Sequence, residues 1–380
     1  MASFHSIHSI LLAVFFTACT GSGAAAVQRG AWVPDAEARR RAASAVTEVA
    51  ASGADASFTM VARLDVDSRG YIYVPDTYQH RVTVLGPEAR LQRSFGRRGS
   101  GPNEFRSVGA VQVLPGDSVL VYDPELGRVS VFAPDSGLAA YHVNLGDKLN
   151  VSMPRELRRT RANDAMLSHH RPGFSFGPGQ DFSNRKDKLR VLAPDGSLRT
   201  ELLTFPSQSF LVAQTSVTPH PFGQQGFARL DSRGRVHFAW SDTLGVRTYA
   251  LDGTPSGGFR IDYQPPRLTR EDVESAAEEF DGMRRLFEPV LSDSAASRWP
   301  AVRAFLVDDR DRLWFELGGS RAQETEWAAF SADGAYLGSV LIPAGSDVRL
   351  IRGDGSIYAA RKDESDVPHV VVYRMVRPLG

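Results

Sequence analysis

Cysteine is nearly absent from this chain: Cys19 is the only one in 380 residues. That excludes a disulfide framework, a cysteine-bound metal and a thiol nucleophile from the body of the protein. A surplus of charge is also missing, since 44 Lys and Arg balance 44 Asp and Glu. Such neutrality argues against a dedicated nucleic-acid binder, which needs excess cations for phosphate contacts. The N-terminal apolar run, Ile10–Phe16, is far shorter than the roughly 20 residues that span a bilayer. HExxH and CxxC motifs are absent. Gly96–Gly101 lacks the GxGxxG spacing and runs into Pro102, so its glycines read as loop conformers rather than as a nucleotide cradle.

What is present begins with an export segment. The short apolar run is followed by Thr17, Ala18 and Cys19, then by small residues through Ala26. Phe16–Cys19 resembles a bacterial lipobox, in which the cysteine is lipidated and becomes the new N-terminus. Cys19 is therefore the expected lipidation site, and Thr20 after it favours, by that resemblance, the outer membrane. Cleavage after Ala24–Ala26 is the competing reading and would release a free periplasmic or secreted protein.

The body of the chain repeats one unit. Between Val61 and Phe105, short β-type runs are separated by turn-forming sequences such as Asp67–Gly70 and Gly86–Ala89. The third run recurs as Arg81–Leu85, Arg128–Phe132, Leu189–Ala193, Val246–Ala250, Glu326–Phe330 and His369–Tyr373. Six copies of a four-stranded antiparallel unit predict an all-β, six-bladed β-propeller. The last copy has no clear fourth strand. Pro34–Ala50 has helix-forming composition, but ring closure calls for a strand at Ala45–Ala51 to complete the last blade. The expected organisation is an export signal and linker over 1–26, an N-terminal segment supplying the closing strand over 27–57, and the propeller over 58–380. A helical insertion at 268–298 is expected between blades four and five. There, Thr269 can cap a helix whose Val273, Ala276, Ala277, Phe280, Met283, Phe287 and Val290 share one face, with Pro289 ending or kinking it.

Val74–Asp76, Gln79–Val82 and Phe95–Phe105 resemble the NHL-type repeat of six-bladed propellers, with the match spanning Leu64–Phe105. The chain is similar to bacterial, often lipid-anchored propeller proteins, many of uncharacterised function. That resemblance implies the fold and leaves the activity open.

Strand order puts the short turns on one face of the disc and the longer segments, Gly96–Phe105, Asn144–Asn163, Arg171–Lys188, Phe205–Gly226 and Tyr263–Val302, on the other. Long loops on a rigid scaffold are where binding surfaces form. Residues 144–190 hold ten Lys and Arg against five Asp and Glu, while the helical insertion is acidic. The candidate binding residues are Tyr78, His80, Arg97, Arg98, Arg158, Arg159, His169 and His170. His169 and His170 are read as part of an extended loop; adjacent histidines in extended backbone point apart, so the two are not expected to share an ion. No catalytic residue and no metal ligand is assigned.

The expected function is that of an exported, lipid-anchored binding or scaffolding module whose long-loop face engages a glycan, peptide or envelope protein. The protein is expected to be a monomer without a cofactor, in contact with the membrane through its anchor only. The alternative is a metal-dependent hydrolase or lyase, lactonase-like or NHL-lyase-like, holding calcium or zinc in its central channel.

Overall fold

A computed structural model describes residues 27–29, 33–53, 56, 58–145, 154–172, 184–212, 217–278, 287, 298–319 and 324–379. Cys19 and the export segment lie outside these residues, as does most of the insertion after Glu278.

The chain starts with β1 (Gln28–Arg29), the helix α1 (Ala36–Ala42) and β2 (Val46–Ala51). The first sheet follows as β3 (Asp65–Val66), β4 (Ile72–Asp76), β5 (Arg81–Leu85) and β6 (Leu91–Phe95), and the second as β7 (Ala110–Val113), β8 (Val119–Asp123), β9 (Arg128–Phe132) and β10 (Ala139–Asn144). The third sheet is β11 (Glu156–Arg159), β12 (Met166–His170), β13 (Lys186–Leu192) and β14 (Leu198–Pro206), after which β15 (Phe210–Val212) and β16 (Val217–Pro219) form a hairpin. The fourth comprises β17 (Gly226–Leu230), β18 (Val236–Trp240), β19 (Gly245–Tyr249) and β20 (Pro255–Arg260), with α2 (Arg270–Glu278) next. The fifth is β21 (Val302–Val307), β22 (Leu313–Leu317), β23 (Thr325–Phe330) and β24 (Tyr336–Ile342). The sixth contains β25 (Ser346–Ile351), β26 (Ser356–Lys362) and β27 (Pro368–Met375), and β2 pairs antiparallel with β27 as its outer strand. β1 adds a parallel fifth strand to the outer edge of the fourth sheet.

Six sheets form a closed six-bladed propeller because each packs on two neighbours. A separate cluster of buried side chains fills each of the six interfaces. Tyr358, Ala360, Val370 and Val372 of the sixth sheet meet Ile72, Val74 and Leu85 of the first, which joins the two ends. This explains why the second and third strands of a blade read as continuous apolar runs: β4, β8 and β9 are buried at every position. A strand covered on both faces has no solvent side on which to alternate. Large side chains such as Trp314, Trp327 and Phe315 are fully buried, each contributing on the order of 1.5–3 kcal/mol.

The first strands of neighbouring sheets touch, β3 with β7, β7 with β11, β17 with β21 and β21 with β25, so they form the inner wall. The two faces are knitted differently. On the short-turn face, Ser68 N and Oγ donate to Asp117 of the next blade, and Ser232 N and Oγ repeat this with Asp311. On the long-loop face, Asp123 Oδ2 accepts from the backbone of Arg106 and Ser107, tying one blade's second strand to the segment that enters it.

Two segments differ from the sequence expectation. Arg155–Arg161 reads as part of an inter-blade loop, yet Glu156–Arg159 is the inner strand of the third blade; Glu156 and Arg158 face the channel, and the buried position Arg159 is charged as well, which hides the strand signal. His169 and His170 lie on β12 rather than on a loop, and they point apart. The helical insertion is present as α2, and Phe287 is buried near it; the rest of the expected stripe lies outside the described residues.

Three of the short turns, those of the first, fourth and fifth blades, are built around a buried aspartate: Asp67, Asp231 and Asp308. Asp231 Oδ1 accepts from the Arg233 and Arg235 backbone, and Oδ2 from Arg235 Nε at 2.6 Å, with His237 Nε2 at 3.1 Å. Burial alone would raise the Asp231 pKa, but hydrogen bonds from His237 and Arg235 outweigh it and bring it down to about 2. A carboxylate depressed in this way stabilises the fold above its unfolded pKa of about 4 and loses that contribution as pH falls through its folded value. Asp231→Asn is therefore expected to cost about 2 kcal/mol at pH 7, with the difference vanishing toward pH 2. Denaturant melts across this range check it, and a pH-independent difference would contradict the assignment.

Candidate functional site

The inner strands carry charge at the positions that face the axis. Arg63 of the first blade pairs with Glu156 of the third, skipping the second, which is possible only across the channel. Glu156 is shared, because Arg229 of the fourth blade stands 3.6 Å from its other oxygen. Arg158 reaches Asp65 of the first blade at 3.3 Å, and Asp65 also accepts from Val113 N of the second. On the far wall, Arg349 donates to the Val61 carbonyl and lies 3.4 Å from Asp347. Burial by itself would raise Glu156, but the Arg63 and Arg229 charges prevail and hold its carboxyl well below the usual range. It lies deep in the ring, yet 32% of its side-chain surface is open, as expected of a group facing a water-filled channel.

At the long-loop end of the third blade this cluster continues outward. His169 Nε2 lies 2.7 Å from Asp187 Oδ2, and Arg171 Nε donates to the same oxygen at 2.9 Å. Ser207 Oγ donates to the other oxygen of Asp187. Burial would raise Asp187, but hydrogen bonds from His169, Ser207 and Arg171 keep it low. Ser207 donates to the aspartate rather than to the histidine, so this is no nucleophile–base relay. Arg155 stands beside these groups with an exposed side chain that has no hydrogen-bond or ion-pair partner among the described residues. Desolvation, then the charge of Arg171, lowers its pKa, against Glu156 and Asp187. A guanidinium keeps its charge through such a shift.

A small cap stands over blades three to five on the same face. Leu211 and Phe222, around the β15–β16 hairpin, pack with Leu268, Val273 and Ala277 at α2 and with Phe287 and Trp299. Thr269 and Asp272 cap α2 reciprocally, N–H to side chain in both directions, and Asp272 Oδ2 also accepts from Trp299 Nε1. Trp299 lies under the Arg303 guanidinium at 5.2 Å, and Arg303 in turn stands 3.3 Å from Glu316. The cap thus rests directly on a channel-side arginine.

The candidate residues named from sequence do not form one site. Tyr78 is 66% exposed on the turn between β4 and β5. His80 occupies the left-handed region at φ 54 on that turn, with its Nδ1 buried and unbonded. Arg97 pairs with Glu104 at 2.9 Å, and Arg98 forms a bridge with Phe105. Their loop is locked onto the outer half of the second blade, where Asn103 accepts from Ala139 N and Arg128 donates to the carbonyls of Ser100 and Glu104. Gly96, at φ +93, is required there because a β-carbon would lie 2.4 Å from the Phe105 ring. Arg158 and His169 do belong to the channel cluster. Arg159 is buried and holds the Tyr141 hydroxyl and the Pro194 carbonyl, and His170, also buried, contacts Ser168 Oγ. Cys19 lies outside the described residues. Sequence reading passed over Arg63, Arg155, Glu156 and Arg229. The available signal was charge at alternate positions of inner strands that are otherwise apolar.

No three His, Cys, Asp or Glu side chains among the described residues are placed to hold a metal ion together. A cleft of about 600 Å³ lies away from the channel, between α1 and the segment after β20. Its central charges are closed, since Arg39 pairs with Glu326 at 2.8 Å, both buried, and lies over Tyr263.

No protein-family model matches the chain, and no curated protein matches its sequence. Among solved structures it is similar to a Bacteroides fragilis protein described as exported, at 10% identity and TM-score 0.52, covering 92% of this chain and 99% of that one. Virginiamycin B lyase from Staphylococcus aureus aligns at 10% identity and TM-score 0.43, covering 87% of this chain and 99% of the lyase. A DUF4221 family member from Bacteroides vulgatus aligns at 10% and 0.44, covering 87% and 94%. At such identities the likeness is one of fold, and the fold is the propeller.

Proposed function

We propose that this protein is an exported, lipid-anchored β-propeller that works as a binding or scaffolding module, taking a glycan, peptide or envelope protein on its long-loop face at the mouth of the channel. The observation that carries this reading is the charged, partly open cluster of Arg63, Arg155, Glu156, Arg171 and Arg229, held on and next to the inner strands and at the long-loop end of β12. Preorganised polar groups in a concavity on a stiff scaffold are what a binding site requires.

Glycan and peptide arrays probed with two variants test the face. Arg171→Ala alters the mouth, while Asp117→Ala alters the opposite face. Captured ligands should be lost by the first and kept by the second; the reverse pattern would refute the assignment. For the anchor, Cys19→Ala should move the protein from the membrane fraction to the soluble one, and unchanged membrane association would count against lipidation.

A second reading, the metal-dependent hydrolase or lyase, has one observation on its side. Burial and the charge of Asp347 push the channel-side Glu316 up to about 8, against Arg349, and Arg303 at 3.3 Å also opposes the rise. A carboxyl titrating near neutrality in a cleft is an acid–base candidate. Elemental analysis of the purified protein separates the readings: stoichiometric zinc or calcium would favour the enzyme, and its absence the binding module.

A further inference from the structure

We infer that the channel mouth is an oxyanion site, with Arg155 as the residue that meets the anionic group of the ligand. This rests on the mouth being the binding surface and names the chemistry of what binds there.

The argument is one of charge compensation. Among the described residues, four guanidiniums, Arg63, Arg155, Arg171 and Arg229, share two carboxylates. Glu156 is divided between Arg63 and Arg229, and Asp187 is occupied by Arg171, His169 and Ser207. Arg155 has neither, although Glu156, Asp187, Arg63 and Arg171 all lie within its electrostatic reach. The mouth therefore holds a local excess of positive charge in a chain whose formal net charge is zero. Like charges gathered this closely repel one another unless an anion completes the set. The neighbouring arginines are fixed: Arg171 by Asp187 and by Gln208 Oε1 at 2.7 Å, and Arg63 by Glu156. Arg155 is left with its planar fork unengaged, a geometry that matches a carboxylate or phosphate group in bidentate fashion.

The group recognised is an oxyanion, either the carboxylate of an acidic saccharide or a phosphate. Calorimetric titration of the full chain with digalacturonate, inorganic phosphate and the neutral disaccharide lactose distinguishes these sources. Binding of either anion, weakened roughly tenfold or more by Arg155→Ala and falling as sodium chloride is raised, supports the site and says which anion it prefers. Arg155 has no partner to lose, so the variant should melt with the wild type. Arg155→Lys should recover part of the affinity, because it restores the charge without the fork. Lactose binding as well as digalacturonate, with Arg155→Ala unaffected, would overturn the oxyanion assignment while leaving the binding face in place. Failure of both anions to bind at millimolar concentration would overturn it as well. A neutral ligand lost in Arg171→Ala would keep the wider reading alive without this one.

Discussion

Everything in this molecule follows from closing six sheets into a ring. Closure covers both faces of the middle strands, so the apolar clusters lie between sheets rather than within them. It also brings six inner strands around one axis, and side chains that turn away from the sheet interfaces have only each other and water to meet. Arg63 finds Glu156 two blades away for this reason, and Arg158 finds Asp65. The closing bond is the β2–β27 pairing, in which the start of the chain supplies the outer edge of the last blade. That edge would otherwise present unpaired backbone groups to solvent.

The two ends of the ring do different work. The short-turn face repeats one device in the first and fourth blades: a buried aspartate organises the turn, and a serine clasps an aspartate of the next blade. Repetition there stabilises the ring. The long-loop face breaks the repeat. Only the third blade puts His169, Arg171 and Asp187 at its rim, and only blades three to five carry the cap. Departure from quasi-symmetry is where specific recognition can reside, because six equivalent positions cannot single out one ligand.

The fold was legible because its signals are local. Third strands such as Arg128–Phe132 and turns such as Asp67–Gly70 announce themselves within a few residues. The site was not legible for the opposite reason. Arg63, Glu156 and Arg229 are separated widely in sequence and meet only through the radius of the ring. The blade-one candidates, Arg97 and Arg98, were conspicuous as a cluster, but their loop is committed to Glu104, Phe105 and the second blade. Glu156–Arg159 reads as a charged loop because the buried position Arg159 carries a charge like the channel-facing Glu156 and Arg158, which erases the apolar alternation that marks a strand.

Crystals soaked in selenate would test the central claim most directly, since anomalous scattering locates the dianion without assuming any natural ligand. The account places the strongest selenate peak against the Arg155 guanidinium, between Arg171 and the Arg63–Glu156 pair. A mouth that stays empty while selenate orders elsewhere would contradict it.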